Sequence, residues 1–172
     1  MKPKFRDNID FFEERCYINI MRKIIFFIHL FFILNNISFA HNYSKNDINI
    51  DHPIIKVTQP DSKVGAGYMK ITNKSNDEIK LFGVEANIAK TQEIHEVILE
   101  NDVYKMRPIN TEILIKPEET LEFKPKSYHF MFFNFNKKLK DNEMLEAKLI
   151  FDKGLVIPIK FKVIVGHNEH NH

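Results

Sequence analysis

Short apolar segments that alternate strictly with polar residues, in a region with no cysteine, constrain this chain most. In Leu145-Glu146-Ala147-Lys148-Leu149-Ile150-Phe151 the odd positions are apolar, and in Ile157–Val163 they are again. Leu121 and Phe123 flank Glu122. Period two means strands with one buried and one wet face. Further strands are expected at 54–58, 66–73, 79–86, 93–100, 103–107 and 128–135. Turn residues separate them: Asn73–Asp77, Asn101-Asp102, Lys116-Pro117-Glu118, Lys124-Pro125-Lys126 and Asp152-Lys153-Gly154. Many short strands between such turns read as an all-β sandwich or barrel. No helix is predicted beyond a single turn at 86–91. In YHFMFFNF (128–135), Phe130 and Phe132 are expected on one face, and His129, Met131, Phe133 and Phe135 on the other, both faces being covered.

The 172 residues are not all domain. Met21-Arg22-Lys23, then IIFFIHLFFILNNI, then Ser38-Phe39-Ala40 has the form of a cleaved signal peptide. The apolar run falls short of the roughly 20 residues of a membrane span, so no stable membrane insertion is expected after cleavage. Residues 1–20 precede a natural start at Met21 and read as an upstream extension outside the true reading frame's product. The single cysteine, Cys16, lies there and not at the cleavage site, which argues against a lipid anchor. Residues 41–53 read as a flexible arm, 54–165 as the folded domain, and 166–172 as a disordered tail.

Six of the 25 basic and four of the 23 acidic residues precede His41, so the remainder carries 19 of each and is neutral. No basic stripe points to nucleic acid. A core without disulfides must hold by burial, which a domain of roughly 130 residues can supply. No Ser-His-Asp set, nucleophilic cysteine or Gly-rich phosphate loop is visible, so an enzyme is not expected. A blue-copper electron carrier would need a thiolate.

Four side chains remain that fit a metal: His95, Met106, His129 and Met131. Thioethers favour Cu(I). If Asn101-Asp102 is a two-residue turn, Glu100 pairs with Val103, His95 faces Pro108 and Met106 faces Val97. His95 and Met106 are then diagonal neighbours on one face. His129 and Met131, two apart, share a face of another strand. The two pairs could meet at one edge of a sandwich. Taken singly, each of these residues is more readily core filler than ligand, as Met69 and Met144 are read to be; the joint pattern is what singles them out.

That pattern resembles the PCuAC family of periplasmic copper chaperones. Ten residues separate His95 from Met106, twenty-two separate Met106 from His129, and His129-x-Met131 closes the motif. Gly67–Asn73, Met106-Arg107-Pro108 and Tyr128–Met131 are also similar to the family. The second gap is one residue longer than the commonest family spacing, and falls in the loop-rich stretch Asn110–Lys126. Glu96 stands where the family often has a methionine. The resemblance implies a cupredoxin-like Greek-key β-sandwich, one Cu(I) per chain held by the four residues, and a periplasmic monomer. The implied acceptor is a copper-carrying subunit of cytochrome c oxidase or a thioredoxin-like copper assembly protein. The alternative is a metal-free β-sandwich that binds another protein. His167, His170 and His172 form a second, weaker candidate, suited to Cu(II); His41 and His52 read as solvated polar residues.

Overall fold

The computed structural model describes residues 21–26, which are helical, and 42–166. The extension at 1–20, most of the signal-like segment and the tail histidines His167, His170 and His172 lie outside the described residues. Ala40–His172 forms a compact unit of its own, distinct from Met1–Phe39.

That unit is all β, as the alternation predicts. Its strands are β1 (Asn42–Lys45), β2 (Ile48–Val57), β3 (Val64–Asn73), β4 (Ile79–Glu85), β5 (Ala89–Glu100), β6 (Val103–Ile109), β7 (Ile113–Ile115), β8 (Thr120–Phe123), β9 (His129–Phe135), β10 (Met144–Phe151) and β11 (Val156–Val165). They hydrogen-bond in the order β6-β5-β9-β3-β2-β11-β10-β4-β7, with β1 added to β2 and β8 to β3. Only β11 and β2 run parallel among these pairs. Phe132 of β9 meets Phe161 of β11 edge-on at 5.5 Å, and Phe130 stacks on Phe123 of β8 at 4.4 Å. β9 and β11 are not neighbours in the hydrogen-bonded path, so the sheet curls into layers around one aromatic core. Leu145, Ala147, Leu149 and Phe151 face it from β10, and Ile157, Ile159, Phe161 and Val163 from β11. Gly67 lets β3 lie against this core: a Cβ there would stand 2.8 Å from the Phe132 ring.

Four expectations need correction. Residues 42–53 are a hairpin and not a flexible arm. Asn46 and Asp47 both take positive φ, as a tight primed turn requires, and Ile48 and Ile50 are buried. The alternation is cut short at His52-Pro53, where His52 takes φ 50° and the register with β3 shifts. At 86–91 there is no helical turn; Asn136 Nδ2 donates to the Asn87 carbonyl, Gln92 Nε2 donates to those of Ala86 and Ala89, and β5 starts at Ala89. Phe135 packs beside Phe132 in the core, because Asn134 at φ 58° breaks the alternation. Met69 is core as expected, but Met144 is half-buried on the side of β10 away from Leu145. The stretch Asn110–Lys126 also contains β7 and β8, too short to stand out by period.

Asn73 ends β3 fully buried. Its amide donates to the carbonyls of Asp77, Ile115 and Lys116, and its Oδ1 accepts from the Ser75 N–H and hydroxyl. Asn73→Ala leaves these groups unpaired. It should cost about 2–3 kcal/mol in denaturant unfolding, and a loss under about 0.5 kcal/mol would contradict this role.

Candidate metal site

The β5–β6 hairpin has the register expected from its turn. Asn101 and Asp102 take φ of 52° and 60°. Glu100 pairs with Val103, Val97 with Met106 and His95 with Pro108. Glu100 accepts from Lys105 and Arg107 across the ladder, on the face opposite Met106.

β9 lies on the other side of β5. His129 stands directly across from His95, and Met131 across from Glu93. Side chains at directly paired positions share a face. His95, Met106, His129 and Met131 therefore all project from one face of β6-β5-β9. It is the outer face, since Ile94, Phe130 and Phe132 point from the same strands into the core. The site sits on a sheet surface beside the β6 edge strand, and not between layers.

The four are not equally close. The histidine rings are neighbours, with centroids 5.8 Å apart. Met106 lies two pairs toward the hairpin turn and Met131 two pairs the other way, so the thioethers flank the histidines from opposite corners. On a flat ladder those corners would be roughly 16 Å apart. Met106 is 55% exposed; Met131 is half-buried.

Both histidines are buried, His95 at 9% and His129 at 4% exposure. His95 Nε2 lies 2.7 Å from Glu93 Oε2. His129 Nδ1 lies 3.0 Å from the Ser127 carbonyl. The other nitrogen of each ring, His95 Nδ1 and His129 Nε2, is buried without a hydrogen-bond partner. Buried polar atoms are nearly always paired, so two such nitrogens on adjacent rings fit a metal held between them. Among the described residues no group of three or more His, Cys, Asp and Glu is placed to hold a metal. The remaining soft donors on this face are the two thioethers, and a donor set of imidazole and thioether suits Cu(I).

Three more residues build the site that motif spacing alone does not single out. Glu93 is two before His95, so alternation places it on the same face. Tyr68 of β3 brings its ring 6.5 Å from His129; burial raises its phenol above the ordinary value. Phe133 closes the other side, 6.2 Å from His95.

Burial pushes the His129 imidazole below its ordinary value; the Ser127 carbonyl opposes this, and the nearby His95 adds to it. A histidine held neutral in the fold destabilises it once the unfolded chain takes up the proton. Stability of the metal-free domain should therefore fall as pH drops below about 6.5, the unfolded value. Above that pH the term is constant. The check is the melting temperature between pH 7.5 and 5.5, before the carboxylates titrate; His129→Asn should flatten the slope, and an unchanged slope would refute the assignment.

Among solved structures, the chain is similar to a copper-bound PCuAC domain from PmoF2 at 19% identity and TM-score 0.60, covering 73% of this chain and 98% of that one. An apo PCuAC domain from PmoF1 matches at 19% and 0.61, covering 73% and 99%. The solution structure of CuI-DR1885 from Deinococcus radiodurans matches at 22% and 0.54, covering 70% and 78%. At these identities the likeness establishes the fold, which is that of PCuAC domains. No curated protein sequence matches. A family model described as "Putative lipoprotein LpqE-like" matches residues 48–163. That match takes in β2 through β10 and most of β11, including all four candidate ligands, and the chain belongs to the LpqE-like family.

Proposed function

We propose that this protein is an exported copper carrier that binds one Cu(I) through His95, Met106, His129 and Met131 and passes it on without catalysing a reaction. The observation that carries the reading is the pair of buried, unpartnered imidazole nitrogens on facing strands, flanked on the same face by two thioethers. Copper is named in the descriptions of two of the similar structures, which supports the choice of metal.

The chemistry suits transfer. Metal ligands must be deprotonated. Thioethers carry no proton, and burial lowers the pKa of His129, so its imidazole is neutral at neutral pH. Thioether and imidazole bring no negative charge, so they hold Cu(I) less firmly than thiolates do. Met106 stands in solvent, where an incoming sulfur ligand can replace it. The absence of cysteine after Cys16 leaves no thiol to oxidise in an oxidising compartment. The acceptor in this reading is a cytochrome c oxidase copper centre or its assembly factor, in the periplasm. No helix among the described residues is long and apolar enough to cross a membrane. The His167–His172 tail serves as a separate, weaker Cu(II) site.

The test is Cu(I) titration of residues 41–166 against a chromophoric chelator. One equivalent should bind, with Zn²⁺ competing poorly, because thioethers are poor zinc ligands. Restoring 167–172 should add Cu(II) capacity and leave Cu(I) affinity unchanged. No uptake, or equal preference for zinc, would favour a metal-free protein-binding sandwich.

A further inference from the structure

The two histidines are held by different nitrogens. A neutral imidazole donates from one ring nitrogen and accepts at the other. A carboxylate and a carbonyl only accept. The Glu93 carboxylate at 2.7 Å therefore fixes the proton of neutral His95 on Nε2. The Ser127 carbonyl at 3.0 Å fixes that of His129 on Nδ1. The lone pairs are left on His95 Nδ1 and His129 Nε2, the two buried atoms without a partner.

We propose that Glu93 is a positioning residue which makes His95 coordinate through Nδ1 while His129 coordinates through Nε2, so that the pair grips the ion through opposite ring nitrogens. The proposal rests on the copper-carrier reading and deepens it. Three placements support it. Glu93 and His95 are two apart on β5, so the hydrogen bond needs no distortion of the strand. Glu93 is directly paired with Met131, which puts its carboxylate between two candidate ligands. Its side chain is 41% exposed, so the carboxylate touches water while reaching the buried ring. An outer-shell carboxylate of this kind orients the imidazole and raises its basicity. Glu93 also supplies a negative charge beside a donor set that has none, and so offsets the charge of the bound ion.

The experiment is ¹⁵N NMR of the Ala40–His172 unit, which carries every strand and its own core, at about pH 8.5, two units above the ordinary imidazole value. In the metal-free protein, His95 should show its proton on Nε2, slow to exchange, and His129 on Nδ1. On adding Cu(I), the nitrogens that shift should be His95 Nδ1 and His129 Nε2. Glu93→Ala should make the His95 Nε2 proton exchange rapidly and lower Cu(I) affinity about 10–100-fold, with the melting temperature of the metal-free form little changed. Glu93→Gln, which keeps an acceptor oxygen at the same reach, should recover part of that affinity. Coordination of His95 through Nε2 would overturn the proposal, as would a Glu93→Ala variant that binds copper like the wild type. So would loss of affinity in that variant with no Nδ1 shift in the wild type, since Glu93 would then be a ligand itself. If the wild type takes up no copper at all, the carrier reading falls together with the ligand assignment; uptake through the wrong nitrogen overturns the assignment alone.

Discussion

Met131→Leu and Met106→Leu should each lower Cu(I) affinity by more than the roughly 100-fold upper range for losing an outer-shell partner. The metal-free fold should barely respond. Leucine keeps the volume and apolarity of methionine, and such swaps usually cost under about 1.5 kcal/mol even in a core. Neither residue is in this core: Met106 is largely exposed, and Met131 is half-buried on the outer face. Met69→Leu and Met144→Leu are the internal controls. Met69 is buried with the aromatic core, and Met144 begins β10, which is not a neighbour of the three site strands. Copper titration and thermal melting on all four variants decide the matter. A common, small effect across the four would make Met106 and Met131 surface filler and end the four-ligand assignment. Because the two thioethers approach from opposite corners, the variants also rank them. A large loss at Met131 with none at Met106 would leave a three-ligand site.

Phe130→Ala should cost about 3–5 kcal/mol, the usual range for a buried phenylalanine. The ring is fully buried, stacks on Phe123 at 4.4 Å and meets Phe161 edge-on at 6.4 Å. The loss is comparable to the whole stability of many domains. Chemical denaturation should show a lower midpoint with a similar slope. Phe130→Leu should be milder, since it refills most of the volume. Phe130 lies between His129 and Met131 on β9, so in the alanine variant copper binding should weaken too, as the strand carrying both proposed ligands loses its anchor. A stability loss under about 1 kcal/mol would mean that β9 is not held by this aromatic contact.

Much of the site was legible because strand geometry is local. The Asn101-Asp102 turn sets the β5–β6 register, since both residues tolerate the positive φ they adopt. Once that register is fixed, the diagonal relation of His95 to Met106 follows by counting. The shared face of His129 and Met131 follows from period two. What alternation missed was interrupted or very short. In β2 the alternation of Ile48 and Ile50 is broken off at His52-Pro53, and β7 spans three residues. Asn134 changed the direction of Phe135 through its backbone angle, which no hydrophobic pattern encodes.

The sequence by itself determined the class of fold, the hairpin register and the parity of each candidate ligand pair, because each depends only on backbone chemistry within a few residues. The tertiary structure alone decided that β9 inserts between β5 and β3, which places His129 across from His95. That pairing joins residues 34 positions apart, and the gain from burying Phe130 and Phe132 against Phe123 and Phe161 selects it. It also decided that the face carrying the four candidate residues is the outer one, because those phenylalanines occupy the inner face of the same strand. Burial of both imidazoles arises only when Tyr68, Glu93 and Phe133 from three strands close around them.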